Sequence, residues 1–297
     1  MKLTALIVTF NRLEKLKLTT EATLKLPFQH IVIVDNASTD NTSVWLAELK
    51  DPRIHIISSP DNSGGAGGFY LGAEFISEHV NTDWIVFYDD DAYPEENFVK
   101  KFALLKPDIK NAYCAKVLDL NGAVCRMNIP WVKITKTFWD NIHYFYNKKP
   151  FIADAQRSCQ CLTFSFVGCV ISASVLKETY CSINKELFIY YDDVFYSNSL
   201  VNQGVNIMYE PGLIFRHDVK AASAVIPEPW KIYYLVRNIF LGRKKQKNKC
   251  FFSRRAIISR VMLYFIYGVK SNNIAAYYKF FFKGLIDGLR NLSGKRH

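Results

Sequence analysis

The 297-residue chain has no uncharged apolar run near the ~20 residues a membrane-spanning helix needs, which argues against a bilayer-crossing helix. It has no internal repeat and no low-complexity tract, which sets aside solenoid and linker-like architectures. Its seven cysteines are an odd number, and the opening "MKLTALIVTFNR" lacks the pattern of a secretory leader. Both features point to a reducing, cytosolic setting rather than a disulfide framework. Cys159 and Cys161 form a CxC with Cys169 and Cys181 downstream, but these spacings do not fit paired zinc knuckles, so ordinary buried thiols are expected. Acids are nearly missing from the C-terminal region: Arg237 to His297 holds fifteen Lys/Arg against one acid, Asp287, a net of +14. Met1 to Val236 is therefore at −3, and the chain's +11 belongs to its tail.

What is present is mostly apolar, at 49% of residues. "LTALIVTF" (Leu3–Phe10), "HIVIVDN" (His30–Asn36), "RIHIISS" (Arg53–Ser59) and "DWIVFYD" (Asp83–Asp89) read as four strands. Helical stretches separate them, from about Leu13 to Leu26, over "STDNTSVWLAELK", and from about Phe69 to His79. This alternation predicts βαβ units in a parallel sheet, with both faces covered by helices because the strands are apolar almost throughout. Beyond Asp91 the rhythm breaks. A hairpin is expected around Asn121-Gly122, an irregular aromatic stretch over Pro130–Pro150, and a short strand into a helix over "FVGCVISASVLKETY". A helix over "YYDDVFYSNSLVNQG" closed by Gly204, strand–turn–strand over "VNIMYEPGLIFRHD", and a helical tail after Glu228 complete the expectation.

In parallel α/β sheets ligands bind beyond the carboxyl ends of the strands. Asp35 ends the second strand, the glycine-rich "NSGGAGGF" (Asn62–Phe69) follows the third, and Asp89–Asp91 end the fourth. Three polar features thus meet at one rim. Adjacent carboxylates repel. Residues two apart in an extended segment share a side, so Asp89 and Asp91 are expected to face one cation with Asp90 turned elsewhere. Hard oxygen ligands suit Mg2+ or Mn2+ bridging to substrate phosphates. The plainer alternative is a solvated acidic turn capping a helix from about Pro94. The glycines allow close backbone approach to a sugar or phosphate, or make a plain flexible loop. A dinucleotide fingerprint fits poorly, since the first strand runs out in "VTFNRLEKL" with no glycine.

Taken together and in order, "VTFNR", "VDNAS", "NSGGAGGF", "VFYDDDA", "FVG" and "YYDDVF…G" resemble the inverting family-2 glycosyltransferases of the GT-A fold. Over residues 3 to 240 the chain looks most like bacterial galactofuranosyltransferases, with rhamnosyltransferases as the nearest relatives. The resemblance implies that Thr9, Arg12 and Asp35 contact the nucleotide, with Asp35 at the edge of a uracil base. Asn62, Gly64, Gly65, Gly67 and Gly68 would lie along the donor. Asp89 and Asp91 would hold a divalent metal (Mn2+ or Mg2+) on the diphosphate, and Asp90 would face the donor sugar. His217, in "LIFRHD", matches the family's late metal-binding histidine. Asp193 would be the base and Asp192 would orient the acceptor, although the pair could equally cap the helix that follows. Phe195 stands where the family often has Glu, which bears on acceptor contacts. Inverting transfer needs that base to take the acceptor hydroxyl proton as its oxygen attacks C1.

The expected organisation is a catalytic domain over 1–227, with a nucleotide-sugar half to about 110 and an acceptor half from about 111. A helical, basic, membrane-associating region follows over 228–297. There Lys279, Lys283, Asp287 and Arg290 fall on one helical stripe, with Tyr277, Tyr278, Phe280, Phe281, Phe282, Leu285, Ile286 and Leu289 around them, the pattern of an interfacial membrane helix. Packing on the catalytic domain and oligomer contact are the alternatives. Expected partners are a nucleotide-sugar donor, a glycan or lipid-linked acceptor and a membrane surface, which places the protein peripherally at the inner face of the cell membrane. Rhamnose transfer from a dTDP donor is the nearest rival. Nucleic-acid binding through the basic tail conflicts with the acidic rim. A catalytically dead sugar-binding subunit conflicts with the intact acids.

Overall fold

The computed structural model describes residues 1–135, 137–219, 228–246 and 249–296. The boundary expected at 227/228 adjoins residues 220–227, which lie outside the described residues, as do Lys247 of the basic run and His297. Strands β1 (Leu3–Thr9), β2 (His30–Asp35), β3 (Ile54–Ser58) and β4 (Trp84–Asp89) pair in parallel in the order β3-β2-β1-β4, as the βαβ rhythm predicts. Helices α1 (Leu13–Leu24), α2 (Thr42–Glu48) and α3 (Gly64–His79) connect them. Alternate residues of β1, β2 and β4 enter opposite cores: Leu6, Val32 and Phe87 pack on one face of the sheet, Ile7, Ile33 and Val86 on the other, while β3 at the sheet edge is only half-buried. Each such side chain contributes on the order of 2 kcal/mol on burial, which is why these strands tolerate almost no polar residue.

Beyond β4 the nine-stranded sheet becomes mixed. It gains β5 (Ala92–Pro94), β6 (Ala112–Asp119), β7 (Cys159–Cys161), β8 (Cys169–Ser172) and β9 (Ile207–His217). The order continues β4-β8-β6-β9-β5, with β7 also on β9. Helices α4 (Phe98–Leu104), α5 (Phe138–Tyr146), α6 (Ala173–Thr179) and α7 (Asp192–Asn202) complete this half, which gives the mixed α/β GT-A architecture.

Several local expectations change. The glycine-rich segment is not a loop before a helix at Phe69: α3 begins at Gly64, and the glycines are its first turns. A Cβ on Gly68 would stand 2.4 Å from Val8, so the missing side chain lets α3 lie directly on β1. The segment after Asp91 is strand β5, and the next helix begins only at Phe98. The strand–turn–strand over 205–218 is one strand, whose register on β6 jumps from Ala115↔Glu210 to Lys116↔Ile214. That irregularity absorbs Pro211-Gly212, residues a regular strand interior disfavours. The hairpin at Asn121-Gly122 keeps only an isolated bridge, Leu118↔Val124, as its second arm. The stretch Pro130–Pro150 contains α5, started by a capping box between Thr137 and Asp140.

The tail forms α8 (Pro229–Gln246), α9 (Arg254–Tyr267) and α10 (Ile274–Arg290). It is not a detached appendage. Gln246 Nε2 donates to the carbonyl of Phe195 at 2.6 Å, and Asn198 Nδ2 to Gln246 Oε1 at 3.0 Å, tying α8 to α7. Gly284 brings α10 against the Tyr233 backbone of α8, where a Cβ would meet the carbonyl oxygen at 2.5 Å. The expected polar stripe is broken: Asp287 is buried and accepts a 2.7 Å hydrogen bond from the Tyr233 hydroxyl. Tyr277 and Phe281, expected on an outward aromatic face, pack inward with Ile232 and Val236 of α8.

Candidate functional site

Strand register sets the rim. Thr9 pairs with Asp35, Val8 with Asp89 and Asp35 with Ser58, so β1 to β4 finish level. The chain then folds back through β5, whose Ala92 pairs with His217 at the end of β9. This antiparallel contact carries His217 to Asp91, with Nε2 3.2 Å from Asp91 Oδ1. Both side chains are buried. Asn128 Oδ1 lies 3.3 Å from His217 Nδ1 on the ring's other side, fixing the ring so that Nε2 faces the carboxylate.

Cations ring the acidic triplet. Arg12 Nη1 donates to Asp91 Oδ2 at 2.7 Å and to Asp90 Oδ1 at 3.4 Å, and Lys15 Nζ stands 3.5 Å from Asp91 Oδ2. Asp90 Oδ2 accepts from the Thr9 hydroxyl at 2.8 Å and from the Phe10 amide at 3.4 Å. Burial alone would push Asp91 up, but His217, Arg12 and Lys15 hold it below the usual carboxylate range. Burial raises Asp90 to about 6 in spite of Arg12. Burial and then the charges of Asp91 and Asp90 raise Asp89 to about 7. Among the described residues no three His, Cys, Asp or Glu side chains are grouped to hold a metal ion. Asp91 and His217 form a pair, with Asp89 two residues away. Their oxygen and imidazole donors, with His217 oriented from behind, fit Mn2+ or Mg2+.

The glycine turn is held from beneath. Asn36 is 1% exposed. Its Nδ2 donates to the Gly64 carbonyl at 2.8 Å and its Oδ1 accepts from the Ser63 amide at 3.1 Å. Asn62 Oδ1 accepts from the Gly64 amide at 2.9 Å. Gly64 has φ +74°, and a Cβ there would strike the Phe188 carbonyl, so only glycine fits. Asp35 is buried and its Oδ1 accepts from the Ser38 amide at 2.9 Å. Of the other glycines assigned to the donor, Gly65 opens onto free space and Gly67 sits against Ser63.

Asp192 and Asp193 open α7 after a contorted approach: Phe188, Tyr190 and Tyr191 all have φ near +70°. Left-handed non-glycine residues cost about 1–3 kcal/mol each and persist only where surroundings impose them. Here α8 imposes them. Asn238 Nδ2 lies 3.0, 2.7 and 3.0 Å from the carbonyls of Leu187, Ile189 and Tyr190. The neighbouring Arg237 is fully buried, donates to the Leu187 carbonyl at 2.9 Å, and stacks on Tyr233 and Tyr234. Burial pushes Asp193 up to about 6 and, with the added repulsion of Asp193, Asp192 to about 8. Asp193 Oδ1 accepts from the Val194 amide at 2.7 Å. The charge of Asp193 reaches the Cys169 thiol, and Cys169 on β8 pairs with Phe87, two residues before Asp89. Asp193 thus lies near the β4–β8 seam.

The structure brings Thr9, Arg12, Asp90, Asp91 and His217, named from the sequence, into one contact set. Sequence reasoning did not single out Lys15, Asn36 or Asn128. Lys15 lies one turn after Arg12 on the same helix face, and Asn36 stands inside the quoted "VDNAS". Asn128 carried no sequence signal.

The sequence pattern described as Glycosyl transferase family 2 matches residues 4–178. No curated protein matches the chain. Among solved structures the fold is similar to "Crystal structure of S. aureus TarS", with a TM-score of 0.58 and 14% identity over 98% of this chain and 49% of that one. It is similar to "Crystal structure of S. aureus TarS 1-349", at 0.55 and 14% over 98% and 83%. It is also similar to "Crystal structure of GalNAc-T7 with UDP, GalNAc and Mn2+", at 0.54 and 10% over 87% and 54%. The chain thus spans about half the length of the first of these, and such identities speak for the fold alone.

Proposed function

Because the chain belongs to glycosyl transferase family 2, we propose that it moves galactofuranose from UDP-galactofuranose to a lipid-linked or polysaccharide acceptor in cell-surface glycan synthesis, by a single inverting displacement. The observation that carries this reading is the Asp91–His217 contact, in which two motifs far apart in sequence meet beside Arg12. Thr9, Arg12 and Asp35 are the nucleotide-side residues. Asn62 and the turn from Gly64 to Gly68 lie along the donor, and Asp90 faces its sugar. Asp91 and His217, with Asp89, would hold the divalent ion. When bound, that ion supplies Lewis-acid neutralisation of the diphosphate.

Asp193 is the base. Its raised affinity for a proton suits removal of the acceptor hydroxyl proton. As that oxygen bonds to C1, the bond from C1 to the diphosphate oxygen breaks and the electron pair leaves with the nucleotide. Asp192 orients the acceptor. The basic tail brings the enzyme to the inner face of the cell membrane, where lipid-linked acceptors lie.

The test is incubation with a panel of nucleotide sugars and Mn2+ or Mg2+, following release of free nucleotide. UDP release from UDP-galactofuranose is expected. Selective turnover of dTDP-rhamnose would move the assignment to a rhamnosyltransferase, and turnover of no donor would remove it.

A further inference from the structure

We propose that the outer face of α9 and α10 is a two-helix docking surface for an anionic lipid bilayer. This deepens the reading above by placing the acceptor on that bilayer, and it rests on that reading for the acceptor alone. Among the described residues no helix is long and apolar enough to cross a membrane, so any lipid contact made by these helices lies at the surface.

The inward turn of Tyr277 and Phe281 leaves a different ridge of α10 facing out. Phe282, Ile286 and Leu289 are 47%, 46% and 68% exposed and lie within one narrow arc of the helix. On α9, Met262, Phe265 and Ile266 are 56%, 40% and 56% exposed. The two ridges meet where the rings of Phe265 and Phe282 stand 6.3 Å apart, which makes one continuous apolar surface. Soluble monomers rarely leave so many large apolar side chains together in water.

Charge chooses the occupant. Lys279, Lys283 and Arg290 are exposed along the flank of the α10 ridge, and Arg254 and Arg255 at the start of α9. The only acid between Arg237 and His297 is Asp287, and it is buried against Tyr233. An apolar ridge edged by cations with no exposed acid matches an anionic bilayer, whose headgroups take the cations while the acyl boundary takes the ridge. The opposite side of α9 reaches the catalytic half, where the Tyr264 and Tyr191 hydroxyls lie 2.5 Å apart, one residue before Asp192. A bilayer under α9 and α10 therefore lies beneath the wall of the base-bearing helix.

Co-sedimentation of the full chain with vesicles tests this. Binding to mixed phosphatidylcholine–phosphatidylglycerol vesicles, well above binding to pure phosphatidylcholine, is expected. Ile266→Asp with Ile286→Asp should weaken it at least tenfold, and Lys279→Glu with Arg290→Glu should remove the preference for anionic vesicles. Wild-type protein that stays in the supernatant, or variants that bind as wild type does, would overturn the proposal. So would a wild-type dimer that Ile266→Asp with Ile286→Asp dissociates, which would assign the face to a second copy. All four side chains lie outside the sugar-nucleotide site, so donor hydrolysis should be unchanged in these variants. Vesicle binding without any donor turnover would sink the transferase assignment and leave the docking surface standing.

Discussion

Asp89–Asp91 and Asp192–Asp193 are both runs of carboxylates at an edge of buried structure, yet they differ in the cations around them. The first run is met by Arg12, Lys15 and His217, which hold Asp91 below the usual carboxylate range while burial still raises Asp89 and Asp90. Among the described residues no cation comes within ion-pair distance of the second, and burial keeps both of its members proton-hungry. The contrast follows from what encloses each run. Helix α1 and strand β9 bring basic side chains to the first, while α8 brings the carbonyl-binding Asn238 to the segment before the second. On the proposed roles, a carboxylate that holds a cation should stay charged, and one that accepts a proton should stay basic.

The largest effect should come from exchanging these characters. Asp193→Asn should lower kcat by about 10²–10⁴-fold while leaving donor affinity nearly unchanged, since general-base contributions are of that size. Asp91→Asn should instead abolish donor binding as isothermal titration reads it, and chelation of the divalent ion should mimic it. Equal losses of binding in both variants would erase the distinction.

Next in size is the hold that α8 keeps on the second run. Asn238→Ala removes the donor shared by three carbonyls and should cost roughly 10²-fold in kcat, the scale of an ångström-level misplacement, with little change in the KM for donor. An equal change in KM would mean that the residue merely supports the fold.

The pH dependences should run in opposite directions. With Asp193 in the proposed role of base, turnover needs it unprotonated, so kcat should rise with pH through about 6 and fall below it. Stability behaves the other way. The folded state holds the Asp192 proton more tightly than the unfolded chain does, so this contribution is present at low pH and is lost as pH rises from about 4 through about 8. Asp192→Asn should therefore raise Tm at pH 8, by about 2–4 °C for each kcal/mol of relief. A lower Tm in that variant would refute the assignment of a raised pKa.

The smallest effect is expected at Lys15, a half-buried partner of Asp91. Lys15→Ala should change donor affinity by no more than about fivefold, within the ~1 kcal/mol range of surface ion pairs, and less as salt is raised.

The parallel half was legible because its signals are local. A short apolar run rich in β-branched residues between helical stretches reads as a strand, and the spacing of such runs fixes the crossovers. Asp35 and Asp89–Asp91 could then be placed at one rim. What escaped was decided at long range. Strand β5 has three residues, one of them proline, and no propensity marks it; only its partner β9 makes it a strand. The glycines of α3 read as a loop because their contribution is the side chain they lack, which lets Val8 approach. Helix α10 carries apolar residues around most of its circumference, and its periodicity could not say which side would find α8. The motif order singled out His217, but the pairing that carries it to Asp91 depends on β5.

That short strand also bears on how the chain assembles. The ladder from Ala92 to His217 joins segments more than a hundred residues apart through three residue pairs, whereas β1 and β2 pair across a much shorter span. Closing so large a loop for so few bonds is a late event on entropic grounds. Pulse-labelled hydrogen exchange during refolding should find amides of β1 and β2 protected before the amide of Asp218, which bonds to the Asp91 carbonyl. Simultaneous protection would contradict this order. A chain stalled at that stage would hold a nearly complete sheet with Asp91 and His217 still apart.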